Sequence, residues 1–423
     1  MNKLSENSDK RVLLENTLML YILVGSSYLF GFLSLPYLTR VLGPEVYGKI
    51  GFSLAIMTFF RLIIEFGFTL SATEAIARNR KDMKEVSRII MAVNSIKLIL
   101  FTICLSVVIT ICLLTPRLKE DIWLHIVTFL ALSSVAFLPD SLYRGLERMK
   151  ILTVRTVFIQ LFFLILILFF VRGKDDYLLV PLFTFIGNFV SLVFIYIHSY
   201  KVLGLRMEFV NKAYVWDSVK TSSSFFYSRI ASTVYNASNM FVIGLLYPVG
   251  SAVLGFYSGA DKLITTAKSF YTPVADSLYP YMVRNRNFEL VKKILAYGMP
   301  VIIIGAIFLW MFAEQFIVLL LGKEYREASE IFRALIPILV IAAPTFILGF
   351  PTLGPMGLSK HANYSVVVGA VFHATMVLVM LSFNLLGVLL LCYLTVITEI
   401  IILAYRIIVI LRNKHTIGVR KMG

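Results

Sequence analysis

Apolar residues run in long, nearly unbroken stretches along the chain, separated by short polar turns. A bilayer core about 30 Å thick needs roughly 20 apolar residues per helix. Runs of that kind centre on Met19–Leu38, Ile50–Phe68, Ile89–Leu114, Ile122–Leu138, Ile151–Val171 and Tyr177–Ile197. A second set follows at Phe225–Tyr247, Val253–Tyr281, Ile294–Leu321, Ile331–Phe350, Val366–Phe383 and Val388–Ile410. The pattern predicts an all-α polytopic membrane protein with twelve transmembrane helices, the eighth being the least apolar. Outer-membrane barrels are excluded, because their strands alternate and are short. The first run is long and no small-residue cleavage site follows it, so a cleavable signal peptide is not expected.

Composition agrees with this reading. Of 423 residues, 59% are hydrophobic and 15% charged, against roughly 45–50% and about 25% in a soluble protein. The formal charge is +16, which in a polar protein would suggest a nucleic-acid surface; here the apolar content excludes a nucleic-acid partner and points to basic loops at a membrane. Placing Met1 in the cytoplasm puts 25 of the 40 Lys and Arg in cytoplasmic segments and 8 outside. The positive-inside rule therefore predicts both termini inside. Shifting the span count by one would scramble this alternation. Cys104, Cys112 and Cys392 sit in apolar runs with no metal spacing, and no phosphate-binding glycine motif occurs. No metal, cofactor or catalytic residue is expected, nor any ATPase activity.

The longest connection, near Tyr200–Ser224, falls midway. It divides the chain into an N-terminal six-helix bundle (1–200), a cytoplasmic linker (201–221) and a C-terminal six-helix bundle (222–423). Self-comparison supports duplication. Pro44, Gly51 and Phe52 recur as Pro248, Gly255 and Phe256; Arg78-Asn79-Arg80 recurs as Arg284-Asn285-Arg286; Pro139, Gly145 and Leu146 recur as Pro351, Gly357 and Leu358. Six spans return the chain to its starting side, so the two bundles form a parallel repeat, an arrangement that places a substrate path between halves in transporters.

Seven cations remain inside spans: Arg61, Lys97, Arg229, Lys262, Lys268, Arg333 and Arg406. A central charge costs at least roughly 2.5–3.5 kcal/mol on insertion scales, so each is expected to face protein or a hydrated cavity. Three polar stripes appear at helical spacing: Thr58, Arg61, Glu65 and Thr69; Ser222, Arg229, Ser232, Asn236 and Asn239; and Ser258, Asp261, Thr265, Lys268, Thr272 and Asp276. Arg61 and Glu65 are spaced to pair. Lys262 lies off its stripe, and Arg406, near a cytoplasmic end, is expected to snorkel. His373 is expected to pack. Acids in or near the spans, including Glu65, Asp261, Asp276 and Glu399, offset most of the positive charge.

The stretches Leu35–Met57 and Phe66–Asp82, with Tyr143–Phe158, Ser228–Gly244, Gly255–Pro280 and Leu320–Leu335, closely resemble polysaccharide (O-antigen-unit) flippases. That family belongs to the multidrug/oligosaccharidyl-lipid/polysaccharide exporter superfamily. The resemblance runs nearly end to end. It implies alternating access and transfer of an undecaprenyl-pyrophosphate-linked oligosaccharide across the bacterial inner membrane, with no chemical reaction. It also implies a cavity lined mainly by spans one, two, seven and eight, where the three stripes lie. Span one departs, offering only Ser26, Ser27, Gly31 and Ser34. On this reading Arg61, Lys97, Arg229, Lys268, Asn236 and Asn239 bind substrate, while Glu65, Asp261 and Asp276 serve coupling or charge pairing. The polysaccharide polymerase and chain-length regulator are candidate partners. Rival readings are a cation-coupled multidrug exporter of the same superfamily and an O-antigen polymerase or ligase; the latter would need a large external loop.

Overall fold

The computed structural model describes residues 2–413, and the side chains of these except 2–17, 28, 228, 232 and 234–236. The predicted tail cations Lys414, Arg420 and Lys421 lie outside the described residues. Among the described residues every regular element is helical. The chain gathers into two compact units: Met1–Leu42 with Phe52–Ile230, and Gly43–Gly51 with Ala231–Gly423.

The first unit holds α1 (Asn2–Glu65) apart from its Gly43–Gly51 stretch, α2 (Phe68–Arg78), α3 (Met83–Leu114), α4 (Pro116–Lys119), α5 (Ile122–Phe137), α6 (Asp140–Gly145), α7 (Met149–Phe170), α8 (Leu179–Lys201) and the start of α9 (Lys212–Leu246). The second continues α9 and adds α10 (Ala252–Ser269), α11 (Tyr271–Asn285), α12 (Phe288–Met311), α13 (Ala313–Leu321) and α14 (Ala328–Leu335). It ends with α15 (Pro337–Leu348), α16 (Phe350–Leu353), α17 (Ser359–Ser382) and α18 (Val388–Arg412).

Among the described residues, nine helical stretches are long and apolar enough to cross a membrane. The first, Leu18–Arg78, has 61 residues; at 1.5 Å each it would measure roughly 90 Å, about three bilayer cores. It turns at Gly43, whose φ of 70° and ψ of 171° break the helix; positive φ is open to glycine at little cost. Apolarity thus accounts for ten passages. The seventh and eighth positions hold α9 and α10–α11, helices of lower apolarity; within α9 only Ala237–Leu246 is strongly apolar. Outward faces are uncovered, as lipid requires: α12 leaves Val301, Ile304 and Phe308 exposed.

Loops expected on the same side meet within the first unit. At one end, the Tyr37 hydroxyl donates to the carbonyls of Leu168 and Val171 at 3.2 and 2.7 Å, and Tyr177 donates to Asp121 at 3.0 Å. At the opposite end Arg80 pairs with Glu147 at 3.2 Å, Tyr214 donates to Glu85 at 2.7 Å, and the Arg206 amide donates to Ser87 at 3.0 Å. A core of Phe68, Ile76, Val86, Ile90, Leu142 and Leu152 ties that end together.

The proposed repeat has matching local structure. Asn79 and Asn285 stand at the ends of α2 and α11, and each side chain donates back to the carbonyl four residues earlier, Ala75 and Tyr281. The short α6 and α16 each interrupt a span, and each ends on a backbone bond reaching back five residues: Arg148 to Tyr143 and Leu358 to Leu353, both 2.8 Å.

Candidate functional site

In the first unit, the second passage of α1 carries Arg61 and Glu65 one turn apart. The helix stops immediately beyond, at Phe66 (φ 39°) and Gly67 (φ 77°). Glu65 therefore sits at a helix C-terminus, where the backbone dipole disfavours a carboxylate. Two guanidiniums compensate. Arg61 Nε donates to Glu65 Oε1 at 2.8 Å, and Arg229 Nη1 donates to Oε2 at 2.9 Å.

Local packing explains how Arg229 arrives. A Cβ on Gly67 would stand 2.9 Å from the Phe225 Cβ and the Ser222 carbonyl, so only glycine lets α9 approach the break. Phe66 stacks on Phe226 with centroids 4.4 Å apart, and the Ser71 and Ser222 hydroxyls meet at 2.7 Å. Glu65 is nearly enclosed, with 9% of its side chain exposed, whereas Arg61 and Arg229 retain 35% and 36%. The three groups sum to +1, with both guanidiniums partly open. That arrangement can receive an anion.

Lys97 of α3 lies in the same unit, within electrostatic reach of Glu65. It is buried, and its Nζ donates to the Ala136 carbonyl at 2.7 Å, a contact between α3 and the end of α5.

In the second unit, Lys268 of α10 donates to Glu399 of α18. Glu399 is 3% exposed and Lys268 21%. Asp261, Thr265, Thr272 and Asp276 lie along the partly open side of α10–α11, while Leu263, Ile264 and Ala275 are buried on the other; Asp276 is exposed. The predicted stripe is thus one accessible face.

The stripe on α9 is used differently along its length. Ser222 and Arg229 engage the first unit as above. The side chains of Ser232 and Asn236 lie outside the described ones. Asn239 is buried in the second unit: Nδ2 donates to Thr395 Oγ1 at 2.6 Å, and Oδ1 lies 2.9 Å from His373 Nε2. His373 Nδ1 lies 3.0 Å from Thr398 Oγ1. His373 packs, as expected, but as part of a polar network centred on Asn239, which sequence spacing could not reveal. The i,i+4 pair Thr395 and Glu399 was the available signal that one face of α18 is polar.

Arg406 departs from the expected snorkelling. It is buried, its Nε donates to Ser365 at 2.9 Å, and Nη1 and Nη2 donate to the carbonyls of Thr345 and Ala362. The cause is Gly349, where any Cβ would stand 2.6 Å from Nη1. A carbonyl in the last turn of α15, together with the Ser365 hydroxyl and a carbonyl in the first turn of α17, satisfies the guanidinium better than the bilayer edge would. Lys262 is exposed, consistent with its off-stripe position.

No group of three or more His, Cys, Asp or Glu among the described residues is placed to hold a metal ion.

Comparison with known proteins places this geometry. Two curated relatives carry the name "Putative O-antigen transporter". One, from Shigella dysenteriae, is 28% identical over 370 residues, covering 85% of this chain and 90% of its own. The other, from Escherichia coli strain K12, is 27% identical and covers 68% of this chain and 69% of its own. Among solved structures, the lipid II flippase MurJ in an inward closed conformation matches with a TM-score of 0.70 and 15% identity, covering 95% of this chain and 90% of its own. An inward-facing multidrug resistance MATE transporter of the MOP superfamily matches with a TM-score of 0.62 and 15% identity, over 92% and 98%. At such identities these structures show a shared fold. Residues 13–286 match the family described as polysaccharide biosynthesis protein, and by that match the chain belongs to it.

Proposed function

We propose that the protein is a flippase that moves an undecaprenyl-pyrophosphate-linked oligosaccharide repeat unit from the cytoplasmic to the periplasmic leaflet of the bacterial inner membrane. The observation that carries this reading is the Arg61–Glu65–Arg229 group: one enclosed carboxylate holding two partly open guanidiniums, net positive, in an apolar helical protein. Guanidinium is the side-chain group best matched to phosphate oxygens. Glu65 holds the arginines in place when no anion is bound, and a diphosphate competes with it for the two partly open guanidiniums. The relatives' names and the shared fold support the assignment to transport, and the fold supports alternating access. Both termini are cytoplasmic in this reading, and the Lys268–Glu399 pair, Asp261 and Asp276 act in coupling or in resetting the empty carrier. The partners are the lipid-linked unit and the machinery that polymerises it.

The test is a deletion strain. It accumulates the lipid-linked unit on the cytoplasmic side and loses surface polysaccharide, and the wild-type gene restores it. Arg61→Ala with Arg229→Ala, expressed at wild-type level, does not restore it. Full restoration by the double variant overturns the anion site.

A second reading, a cation-coupled drug exporter, is favoured by one observation: Asp261 and Asp276 on the accessible face of α10–α11. Drug sensitivity on deletion, with surface polysaccharide intact, would select it.

A further inference from the structure

A cavity of about 730 Å3 opens in the second unit, lined by none of the Arg61, Glu65, Arg229, Lys268, Asp261 or Asp276 side chains described above. Its walls come from three connections: the α9–α10 turn gives Tyr247 and Val253, the α13–α14 segment gives Arg326 and Glu327, and Gly387 and Val388 lead into α18. These are the three loops of the C-terminal half that charge placement assigns to the external side, and they converge on one site.

The polar wall carries charged groups held by specific contacts. Arg326 Nε donates to Glu314 Oε1 at 2.6 Å, and Arg333 Nε donates to the Trp310 carbonyl at 3.3 Å, so both guanidiniums are oriented. Glu327 and Glu330 add two exposed carboxylates beside them. The other wall is apolar: Phe256, seated edge-on against buried Tyr325 with centroids 6.0 Å apart, together with Ile331 and Val388.

Charge and size select the ligand class. Three carboxylates against two guanidiniums disfavour a phosphate. A bare metal ion is disfavoured too, since no three acidic or imidazole groups converge among the described residues. A neutral polyol suits both walls. Its hydroxyls donate to carboxylates and accept from guanidiniums, while the C–H face of a sugar ring rests on the apolar side. The volume lies within the range of about 300–1,000 Å3 usual for small-molecule sites.

We propose that this cavity is a carbohydrate subsite on the release side of the protein, holding neutral sugars of the oligosaccharide after they have crossed. The identity of the sugar rests on the flippase reading; the existence of the site does not.

Trp310 supplies the reporter. Full-length protein carrying Trp123→Phe and Trp216→Phe is placed in lipid nanodiscs and titrated with the repeat-unit oligosaccharide released from the host's own surface polysaccharide, free of lipid and phosphate. The expected result is a saturable change in Trp310 emission. Glu327→Ala with Glu330→Ala, at exposed positions that leave the thermal midpoint unchanged, weakens the apparent affinity about tenfold or more, as loss of charge-assisted hydrogen bonds should. No saturable change, an equal response in the double variant, or an equal response to inorganic pyrophosphate overturns the proposal. A deletion strain that does not accumulate the lipid-linked unit would defeat the flippase reading while leaving the titration to decide the subsite.

Discussion

At the scale of single residues, the charges in the spans fall into three physical situations. Glu65 is shared by two arginines, Lys268 pairs with Glu399 from another helix, and Lys97 and Arg406 are satisfied by backbone carbonyls. Helical spacing makes the Arg61–Glu65 contact legible in the sequence, because i and i+4 share a face whatever the fold. Arg229 and Glu399 are not legible in this way. Their partners are 164 and 131 residues away, so only tertiary packing brings them together. The pairs differ in what their loss exposes. Lys268→Ala strands a carboxylate that is 3% exposed, and removing one partner of a buried pair costs about 3–5 kcal/mol. The variant should therefore show a clearly lowered unfolding midpoint in detergent, and adding Glu399→Gln should recover much of it. Equal midpoints for Lys268→Ala and the double variant would mean that the pair contributes no such strain. Arg229→Ala is different in kind: Glu65 keeps Arg61, so stability should fall by less while transport is lost. Parallel melting curves and surface-polysaccharide assays separate the two effects.

At the scale of elements, glycines decide where helices end and how closely they approach. Gly43 breaks α1, and Gly67 separates α1 from α2 with positive φ. Near the start of α10, Gly255 allows the tightest approach in the second unit: a Cβ there would lie 1.9 Å from the Pro44 carbonyl oxygen, and one on Gly48 would lie 2.5 Å from the Gly255 amide nitrogen. Membrane helices lacking a hydrophobic drive to associate use small residues in this way. The internal repeat pointed to Gly51 and Gly255 as equivalent positions. Sequence alone could not show that the segment Gly43–Gly51 would join the second unit, because its hydropathy is continuous with the rest of the passage. Gly255→Ala must displace backbone, not a flexible side chain, so it should lower the yield of folded protein sharply; Gly298→Ala, with open space around it, should not. Fluorescence size-exclusion profiles of the two variants make the comparison. Gly67→Ala should resemble Gly255→Ala and, in whatever protein folds, should uncouple Arg229 from Glu65.

At the scale of the whole molecule, the +16 charge reports topology before it reports affinity. Apolar run length made ten passages readable, since lipid-facing helices cannot hide their composition. It was least informative for α9 and α10–α11, where polar stripes lower the hydropathy of helices that carry candidate functional groups. Parity therefore depends on those two helices both crossing, and this can be tested directly. The native cysteines Cys104, Cys112 and Cys392 are buried, so background labelling is low. Single substitutions at exposed positions, Lys81→Cys, Lys119→Cys, Glu324→Cys and Lys360→Cys, sample both sides of both units. With a membrane-impermeant maleimide on intact spheroplasts, Lys119→Cys and Glu324→Cys should label at once, and Lys81→Cys and Lys360→Cys only after lysis. If either α9 or α10–α11 failed to cross, every later loop would invert, so Lys360→Cys would label outside and Glu324→Cys would not. That inversion would also bring Arg284, Arg286, Lys292 and Lys293 to the external face, against the positive-inside rule. The same four labels therefore decide the number of passages in the middle of the chain and the side on which the carbohydrate cavity opens.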